Sequence, residues 1–246
     1  LYQQRNLAFG SNEAYALNKE VFKHFHKKVQ EANLTIGLDR GANPDFIEAD
    51  MKVGPRRFSN CTAIAPTASI SIICGGTSPG VEPSMANVFV QKTLSGSFEV
   101  HNPYLQKLLN NYGKDDHDTW ASIAANEGSV QHLDFLTENQ KEVFKTFQEL
   151  EQMDIIRQAG ERAKYVEQSQ SVNIFLKADV SKKYLHLIHM KAWQLGVKSL
   201  YYVRSASLQR ADAPSEKKER VAIDECVGGV CEIKAPVMIE ECAACQ

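Results

Sequence analysis

The end of the chain carries four cysteines whose spacing suits redox or metal chemistry. Cys226 and Cys231 are followed by Cys242 and Cys245, which gives the pattern C-x4-C-x10-C-x2-C. Two thiols at C-x-x-C spacing can close a disulfide or share a metal ion. A zinc ribbon is a plausible interpretation, but the segment offers few residues to fold around a metal, and its glutamates suit a solvated arm. We therefore predict thiol–disulfide exchange on a mobile tail, with zinc as the alternative.

The second candidate site is the stretch "APTASIS", from Ala65 to Ser71. Thr67, Ser69 and Ser71 offer hydroxyls, and a turn after Pro66 would point successive backbone N–H groups at an anion. The stretch has no lysine and does not match the G-x-x-x-x-G-K-[ST] phosphate loop. A buried strand rich in Ser and Thr explains the same residues, so both interpretations stay open.

The third candidate is the tyrosine pair Tyr201 and Tyr202 in "KSLYYVRSA". Adjacent side chains of a strand point to opposite faces, so these rings cannot both pack on one face of a regular strand. One interpretation is aromatic packing in a strand that is buried on both sides. The other is chemical, because a phenol can lose one electron as its proton leaves, and a neighbouring phenol can pass the oxidation on. Such a relay requires the backbone to bend at the strand end.

Composition excludes several classes of function. The 246 residues carry a net charge of −2, so no basic excess points to nucleic acid. No apolar run approaches the roughly 20 residues of a membrane span, and the first residues resemble neither a signal nor a transit peptide. We expect a cytoplasmic protein with reduced or redox-active thiols. The start at Leu1 rather than Met suggests that the chain is cut from something longer.

Helical periodicity predicts the elements that surround these sites. Apolar residues recur at helical spacing over about 12–33, and Thr137 with Gln140 forms a capping box that begins another helix. The stretch 61–73 is small, β-branched and almost uncharged, which favours a buried strand interrupted at Pro66.

A βαβ unit is predicted ahead of the tail. "SVNIFL" (171–176) is typical of a buried strand, Ser181 begins a helix that Gly196 ends, and "SLYYV" (199–203) is typical of a second strand. Strand, helix and strand in about thirty residues favour a parallel sheet. From about Ser207 the sequence is charged and lacks apolar periodicity, which is typical of a flexible tail.

Four segments in this order resemble the large (catalytic, α) subunit of class I ribonucleotide reductase. They are "GPRRFSNCTAIAPTASISIICGGTSPGVEP", "SQSVNIFL", "HLIHMKAWQLGVKSLYYVRS" and the terminal "CAACQ". The resemblance implies an α/β fold, in which residues 1–206 form the second half of a ten-stranded α/β barrel. Residues 207–246 would form a flexible redox tail with the cysteine pairs.

The resemblance also implies roles for the first site. The segment from Pro66 to Ile70 matches the loop that binds the substrate's phosphates. Thr67 and Ser69 would be side-chain donors, and Ala68 and Ile70 would be amide donors.

The tyrosines and tail cysteines match further parts of the family's machinery. Tyr201 and Tyr202 match a dyad that relays an oxidising equivalent from the small subunit to the active-site cysteine. Cys242 and Cys245 match the tail thiols that reduce the active-site disulfide and are reset by thioredoxin or glutaredoxin. Cys226 and Cys231 form a possible second pair.

One family feature is absent from this sequence. The thiyl-forming cysteine of the family lies in an Asn-x-Cys-x-Glu loop, and the sequence contains no such motif. Cys61 does not match it, because Asn60 is directly adjacent. We expect the loop, together with the sites for nucleotide effectors, on an N-terminal part of the large subunit. The chain is then a truncated record or one half of a split enzyme, inactive alone.

The implied reaction is the radical reduction of ribonucleoside diphosphates to deoxyribonucleoside diphosphates for DNA synthesis. The expected partners are the N-terminal part, the radical-generating small (β) subunit with its metal-radical cofactor, thioredoxin or glutaredoxin, and the substrate. No cofactor or metal is expected on this part, and no nucleic acid or membrane is expected as a partner. The alternatives are a fragment of a cobalamin-dependent ribonucleotide reductase and a non-catalytic module that binds zinc through its four C-terminal cysteines.

Overall fold

The structure, a computed structural model, describes residues 1–48, 54–75, 77–93, 96–206, 220–227 and 230–237. After a 3-10 turn at Gln3–Arg5, the helices are α1 Asn12–Arg40, α2 Pro44–Glu48, α3 Ala68–Ile73, α4 Pro103–Asn111, α5 His117–Ala125, α6 Glu138–Val143, α7 Gln152–Ala163 and α8 Lys182–Gln194. The strands are β1 Val88–Thr93, β2 Gly96–His101, β3 Ile174–Lys177, β4 Val203–Ala206, β5 Arg220–Val227 and β6 Val230–Val237. The fold is α/β, as predicted. Within the described ranges the strands pair two by two and do not close into a barrel.

Helix α1 begins where the sequence predicts. The Ser11 side chain caps it by accepting a hydrogen bond from the N–H of Ala14 at 3.1 Å. The face that carries Ala14 and Leu17 is buried, and α1 packs on α7. Asn18 fixes this contact, since its Nδ2 donates to the carbonyl of Gln158 at 3.0 Å.

The same helix runs beyond the predicted end near residue 33. The following loop folds back on it, and the Asn33 Oδ1 accepts from the N–H groups of Arg57 and Phe58, each at 2.9 Å. These polar contacts support the last turns of α1, where the sequence has no apolar periodicity. The helix ends at Arg40, before Gly41 with a φ of +86°.

The predicted βαβ unit is confirmed. Strands β3 and β4 are parallel with Ile174 opposite Val203, and α8 connects them. Ser181 caps α8 by accepting from the N–H of Tyr184 at 3.1 Å, and Gly196 at a φ of +75° follows its end. The extents of both strands were predicted wrongly, because β3 begins at Ile174 and not at residue 171, and β4 begins at Val203 and not at residue 199.

Two apolar clusters support the fold. The first packs β3 against α7 and α8; its largest fully buried members are Phe147, Ile155, Ile156, Ile174 and Ile188. The second joins β1 to α4 and α5, with Leu105, Leu109, Ile123 and Val130 fully buried. The predicted capping box of Thr137 and Gln140 begins α6 at the edge of this second cluster.

The prediction of a buried strand over 61–73 is wrong. Only Ile64 makes a β-bridge, to Gln170, and residues 68–73 form α3. Pro66 has no N–H to continue a ladder, and the N–H of Ser71 then bonds the carbonyl of Thr67 at 2.8 Å in helical register. The isoleucines of α3 are exposed, Ile73 by 86%.

Part of the predicted tail has regular structure. Strands β5 and β6 form an antiparallel hairpin in which Cys226 lies opposite Cys231. Val and Ile recur along both strands, and these residues favour extended backbone. The segment thus contains a paired hairpin, and the predicted flexibility of the tail stays a prediction. Cys242 and Cys245 lie outside the described residues, and the boundary at 206 stays a prediction.

Candidate active site

The tyrosine pair lies immediately before β4. The ring centroids of Tyr201 and Tyr202 are 4.1 Å apart, and the ring planes meet at 52°. The Tyr201 hydroxyl donates a hydrogen bond to the Tyr202 hydroxyl, with 3.4 Å between the oxygens. This bond raises the pKa of Tyr201, because it stabilises the protonated phenol. The two residues are 48% and 54% exposed, so this chain does not bury them on both sides.

An irregular backbone brings the two rings to the same side. The N–H of Tyr201 donates to the carbonyl of Val172 at 2.8 Å, and the carbonyl of Tyr202 accepts from the N–H of Ile174 at 2.9 Å. In an extended strand the N–H of one residue and the carbonyl of the next point to opposite sides. Here both face the segment that leads into β3. The chain is therefore bent at the tyrosines, and the bend that a relay requires is present.

The predicted phosphate-binding segment is exposed and lies at the start of α3. Thr67 precedes the helix, and its hydroxyl donates to the carbonyl of Pro79 at 2.9 Å instead of capping the helix. Ala68, Ser69 and Ile70 are exposed, and the first N–H groups of a helix have no acceptor within it. The segment therefore presents backbone donors to its surroundings, while the Thr67 hydroxyl ties it to the neighbouring loop.

A cavity of about 920 Å³ adjoins this segment. Ala68 and Ser71 line one part of it, and Glu82 and Arg162 line another. The tyrosine pair is not among the residues that line it. The structure thus brings the phosphate segment together with two buried charged residues, and it places the tyrosines outside that cavity.

Arg162 is the buried cation of the cavity wall. Its Nε donates to Gln170 Oε1 at 3.0 Å and its Nη1 to Asn18 Oδ1 at 3.4 Å. Among the described residues, its Nη2 and the Glu82 Oε2 have no hydrogen-bond partner. Burial lowers the pKa of the guanidinium to about 10, although Tyr2 and Glu82 act in the opposite direction. An arginine with a pKa near 10 remains charged at neutral pH, so the wall carries a buried positive charge.

Glu82 also connects the cavity wall to the tyrosine pair. The side chain of Asn173 donates through Nδ2 to Glu82 Oε1 and accepts through Oδ1 from the N–H of Tyr202 at 3.3 Å. Sequence reasoning missed all of these buried polar residues, Arg162 included. A glutamate in a turn-rich loop has the pattern of a solvated residue, and only the single Asn inside the apolar "SVNIFL" gave any signal.

A match to a family model shows which protein family the chain belongs to. The model described as "Ribonucleotide reductase, barrel domain" matches residues 47–203, which include the phosphate segment and the tyrosine pair. The chain belongs to the ribonucleotide reductase barrel-domain family.

Relatives and a solved structure agree with this assignment. The chain is 45% identical over 214 residues to the ribonucleoside-diphosphate reductase large subunit of Invertebrate iridescent virus 6, covering 85% of this chain and 22% of the relative. It is 34% identical over 244 residues to the putative large subunit of Frog virus 3, covering 99% and 40%. Among solved structures, the Actinobacillus ureae class Id ribonucleotide reductase alpha subunit matches with a TM-score of 0.75 at 38% identity, covering 84% of this chain and 37% of that one. The chain spans less than half of each of these proteins.

The cysteines of this family member differ in their surroundings. Cys61 and Cys74 are free thiols, and burial, reinforced by the charge of Glu167, raises the pKa of Cys61. A raised pKa keeps a thiol protonated and unreactive, so Cys61 suits a structural role. Across the described ranges, no group of three or more His, Cys, Asp or Glu side chains is arranged to hold a metal ion. Within the same ranges, no helix is long and apolar enough to span a membrane.

Proposed function

We propose that this chain is the C-terminal part of the large subunit of a cytoplasmic class I ribonucleoside-diphosphate reductase. The observation that carries the proposal is the contact between two phenol hydroxyls at a surface bend, in a chain of the ribonucleotide reductase family. Two phenols in contact at the surface suit one-electron transfer from a partner that generates a radical. The proposed partners are a small subunit with a metal-radical cofactor and an N-terminal part that carries the thiyl-forming cysteine and the nucleotide effector sites.

The contact between the two hydroxyls allows the relay to proceed by transfer of a hydrogen atom. When Tyr202 is oxidised, its oxygen lacks a hydrogen atom, and the Tyr201 hydroxyl already points at that oxygen. Transfer of this hydrogen atom breaks the O–H bond of Tyr201 and forms the O–H bond of Tyr202. The radical then lies on Tyr201.

We propose that Pro66 to Ile70 bind the diphosphate of the substrate. The exposed N–H groups at the start of α3 would serve as donors, and the adjoining cavity holds the buried charge of Arg162. In the proposed reaction the 2′-hydroxyl of the ribose leaves as water, while a dithiol supplies two electrons and becomes a disulfide.

We assign re-reduction of that disulfide to Cys242 and Cys245, with thioredoxin or glutaredoxin as the external reductant. Cys226 and Cys231 are the second candidate pair. Their residues are cross-strand neighbours in the β5–β6 hairpin, and such neighbours have Cα atoms about 5 Å apart, within the range of a disulfide.

The relay is tested by Tyr202→Phe in the complete large subunit combined with a small subunit. Phe has no O–H to oxidise at accessible potentials, so we expect turnover to be abolished while substrate binding is kept. Tyr112→Phe is the matched control, since Tyr112 is also exposed but bonds Gln140. Substantial activity in Tyr202→Phe would contradict the relay.

The tail is tested by the double variant Cys242→Ser, Cys245→Ser. We expect turnover to stop with thioredoxin and to continue with dithiothreitol, which is small enough to reach the active site without a shuttle. Cys74→Ser, which removes an exposed thiol outside the tail, should behave like the wild type with both reductants. Loss of activity with both reductants in the double variant would count against a shuttle.

A further inference from the structure

The backbone bend at the tyrosines displaces one hydrogen bond of the sheet. Strand β4 pairs Val203 with Ile174, and the regular continuation of this parallel ladder would join the carbonyl of Val172 to the N–H of Tyr202. Instead that carbonyl accepts from the N–H of Tyr201 at 2.8 Å. One extra residue is thus inserted, as in a β-bulge, and the N–H of Tyr202 loses its ladder partner.

The side chain of Asn173 takes the place of that partner. Its Oδ1 accepts from the N–H of Tyr202 at 3.3 Å, and its Nδ2 donates to Glu82 Oε1. The amide oxygen thus faces the donor N–H of Tyr202, and the amide NH2 faces an accepting oxygen of Glu82. Both Asn173 and Glu82 are buried, where a hydrogen bond lost from a polar group is not replaced by water.

The loop before Glu82 leaves room for its carboxylate at Gly80. A Cβ atom at Gly80 would lie 2.7 Å from Glu82 Oε1, a distance too short for real contacts. Glycine at this position therefore lets the carboxylate fold against the backbone of its own loop.

We infer that Asn173, oriented by Glu82, is the positioning residue that holds the Tyr202 backbone in the bend where the two phenols meet. Without this contact the N–H of Tyr202 is satisfied best by a regular ladder, which sends adjacent side chains to opposite faces. The two hydroxyls would then separate. The effect on turnover rests on the proposed relay, whereas the effect on the geometry of the pair does not.

The test exchanges donor and acceptor between the two side chains. We call the hydrogen-bonded side chains of Asn173 and Glu82 the clamp. In Asn173→Asp two carboxylates face each other and repel when both are ionised, so the clamp opens. In the double variant Asn173→Asp, Glu82→Gln the amide donates to the new carboxylate, which still accepts from Tyr202. We expect the single variant to lose the contact between the phenols and the double variant to regain it. Glu82→Gln alone should keep it, since the glutamine oxygen can still accept from Asn173.

The first readout is the pKa of Tyr201 in the chain itself, measured with 3-fluorotyrosine at position 201 by 19F NMR. If repulsion between the two carboxylates of Asn173→Asp separates the phenols, the pKa of Tyr201 should fall toward that of a free tyrosine. It should be raised again in the double variant. The inference would be overturned if the pKa of Tyr201 stayed as low in the double variant as in Asn173→Asp. An unchanged Tyr201 pKa in Asn173→Asp itself would also overturn it.

The second readout is the pH profile of turnover in the complete enzyme. Asn173→Asp should lower turnover by about 100-fold or more at alkaline pH, because a misplacement of only about 1 Å already costs about 100-fold and the separated hydroxyls would lie further apart. The deficit should shrink as pH falls, because two carboxylates that share one proton restore a hydrogen bond between them. A deficit independent of pH would indicate general damage and would contradict the clamp.

Asn87→Asp is the matched control for both readouts. Asn87 is also a buried asparagine, but its Nδ2 donates to the carbonyls of Gly128 and Phe144 in the second apolar cluster. The variant Asn87→Asp should destabilise the chain without changing the Tyr201 pKa. Adding Glu82→Gln should not restore the stability that it loses. Turnover that survives in Tyr202→Phe would refute the relay alone, because the titration of Tyr201 reports the clamp independently.

Discussion

The tyrosine pair and the phosphate segment are both exposed, but this chain holds them very differently. In the pair, the N–H of Tyr201 bonds the carbonyl of Val172, and the carbonyl of Tyr202 bonds the N–H of Ile174, whose side chain is fully buried. The phosphate segment continues into α3, whose isoleucines Ile70, Ile72 and Ile73 are exposed. Thr67 ties it to the neighbouring loop, since the carbonyl of Pro79 accepts from the Thr67 hydroxyl at 2.9 Å and from the Thr67 N–H at 3.3 Å. The contact between the two phenols is thus built into this chain, whereas the segment proposed to bind phosphate lies on an apolar surface of the kind that protein interfaces cover.

The largest difference between the two regions should appear in stability. Ile174→Ala removes a fully buried side chain under the tyrosine pair, so we expect the free energy of unfolding to fall by about 2–5 kcal/mol. Ile73→Ala, the same chemical change on the exposed face of α3, should stay within about 0.5 kcal/mol. Urea denaturation of the chain measures both. Equal losses would remove the contrast between the regions.

A smaller effect is expected where Thr67 ties the segment to its loop. Thr67→Val removes the hydroxyl that donates to Pro79, which should cost about 1 kcal/mol of local stability. Hydrogen exchange of the α3 amides should therefore accelerate, while that of the amides of β3 should not change. Thr67→Ser keeps the hydroxyl and serves as the control. Faster exchange in both regions would mean that they open as one unit.

The smallest effect concerns the titration of the tyrosine pair. The Tyr201 hydroxyl is the donor in its hydrogen bond, so the bond stabilises the protonated phenol and raises the pKa. Removing the acceptor by Tyr202→Phe should therefore lower the pKa of Tyr201. Fluorotyrosine titration measures the shift, and Tyr112→Phe should not produce it. An unchanged Tyr201 pKa would show that the contact contributes nothing in solution.

Local sequence patterns predicted the elements whose signals are local. The caps at Thr137 and Ser181 act within one helical turn, and the alternation of strand, helix and strand fixed the parallel pair of β3 and β4. For the stretch 61–73 the local pattern gave a wrong prediction. Its apolar residues indicated burial, but Pro66 ends the extended backbone there and the isoleucines of α3 remain exposed.

The sequence alone determined the family, the α/β class and the tyrosines and cysteines that suit radical and thiol chemistry, because these depend on residue types and their order. Only the tertiary structure decided that Tyr201 and Tyr202 lie on the same side, since this depends on a one-residue shift against β3. It also decided that Glu82 and Arg162 are buried beside one cavity, although they lie 80 residues apart in the chain. Contacts between distant segments set register and burial, and no local pattern encodes them.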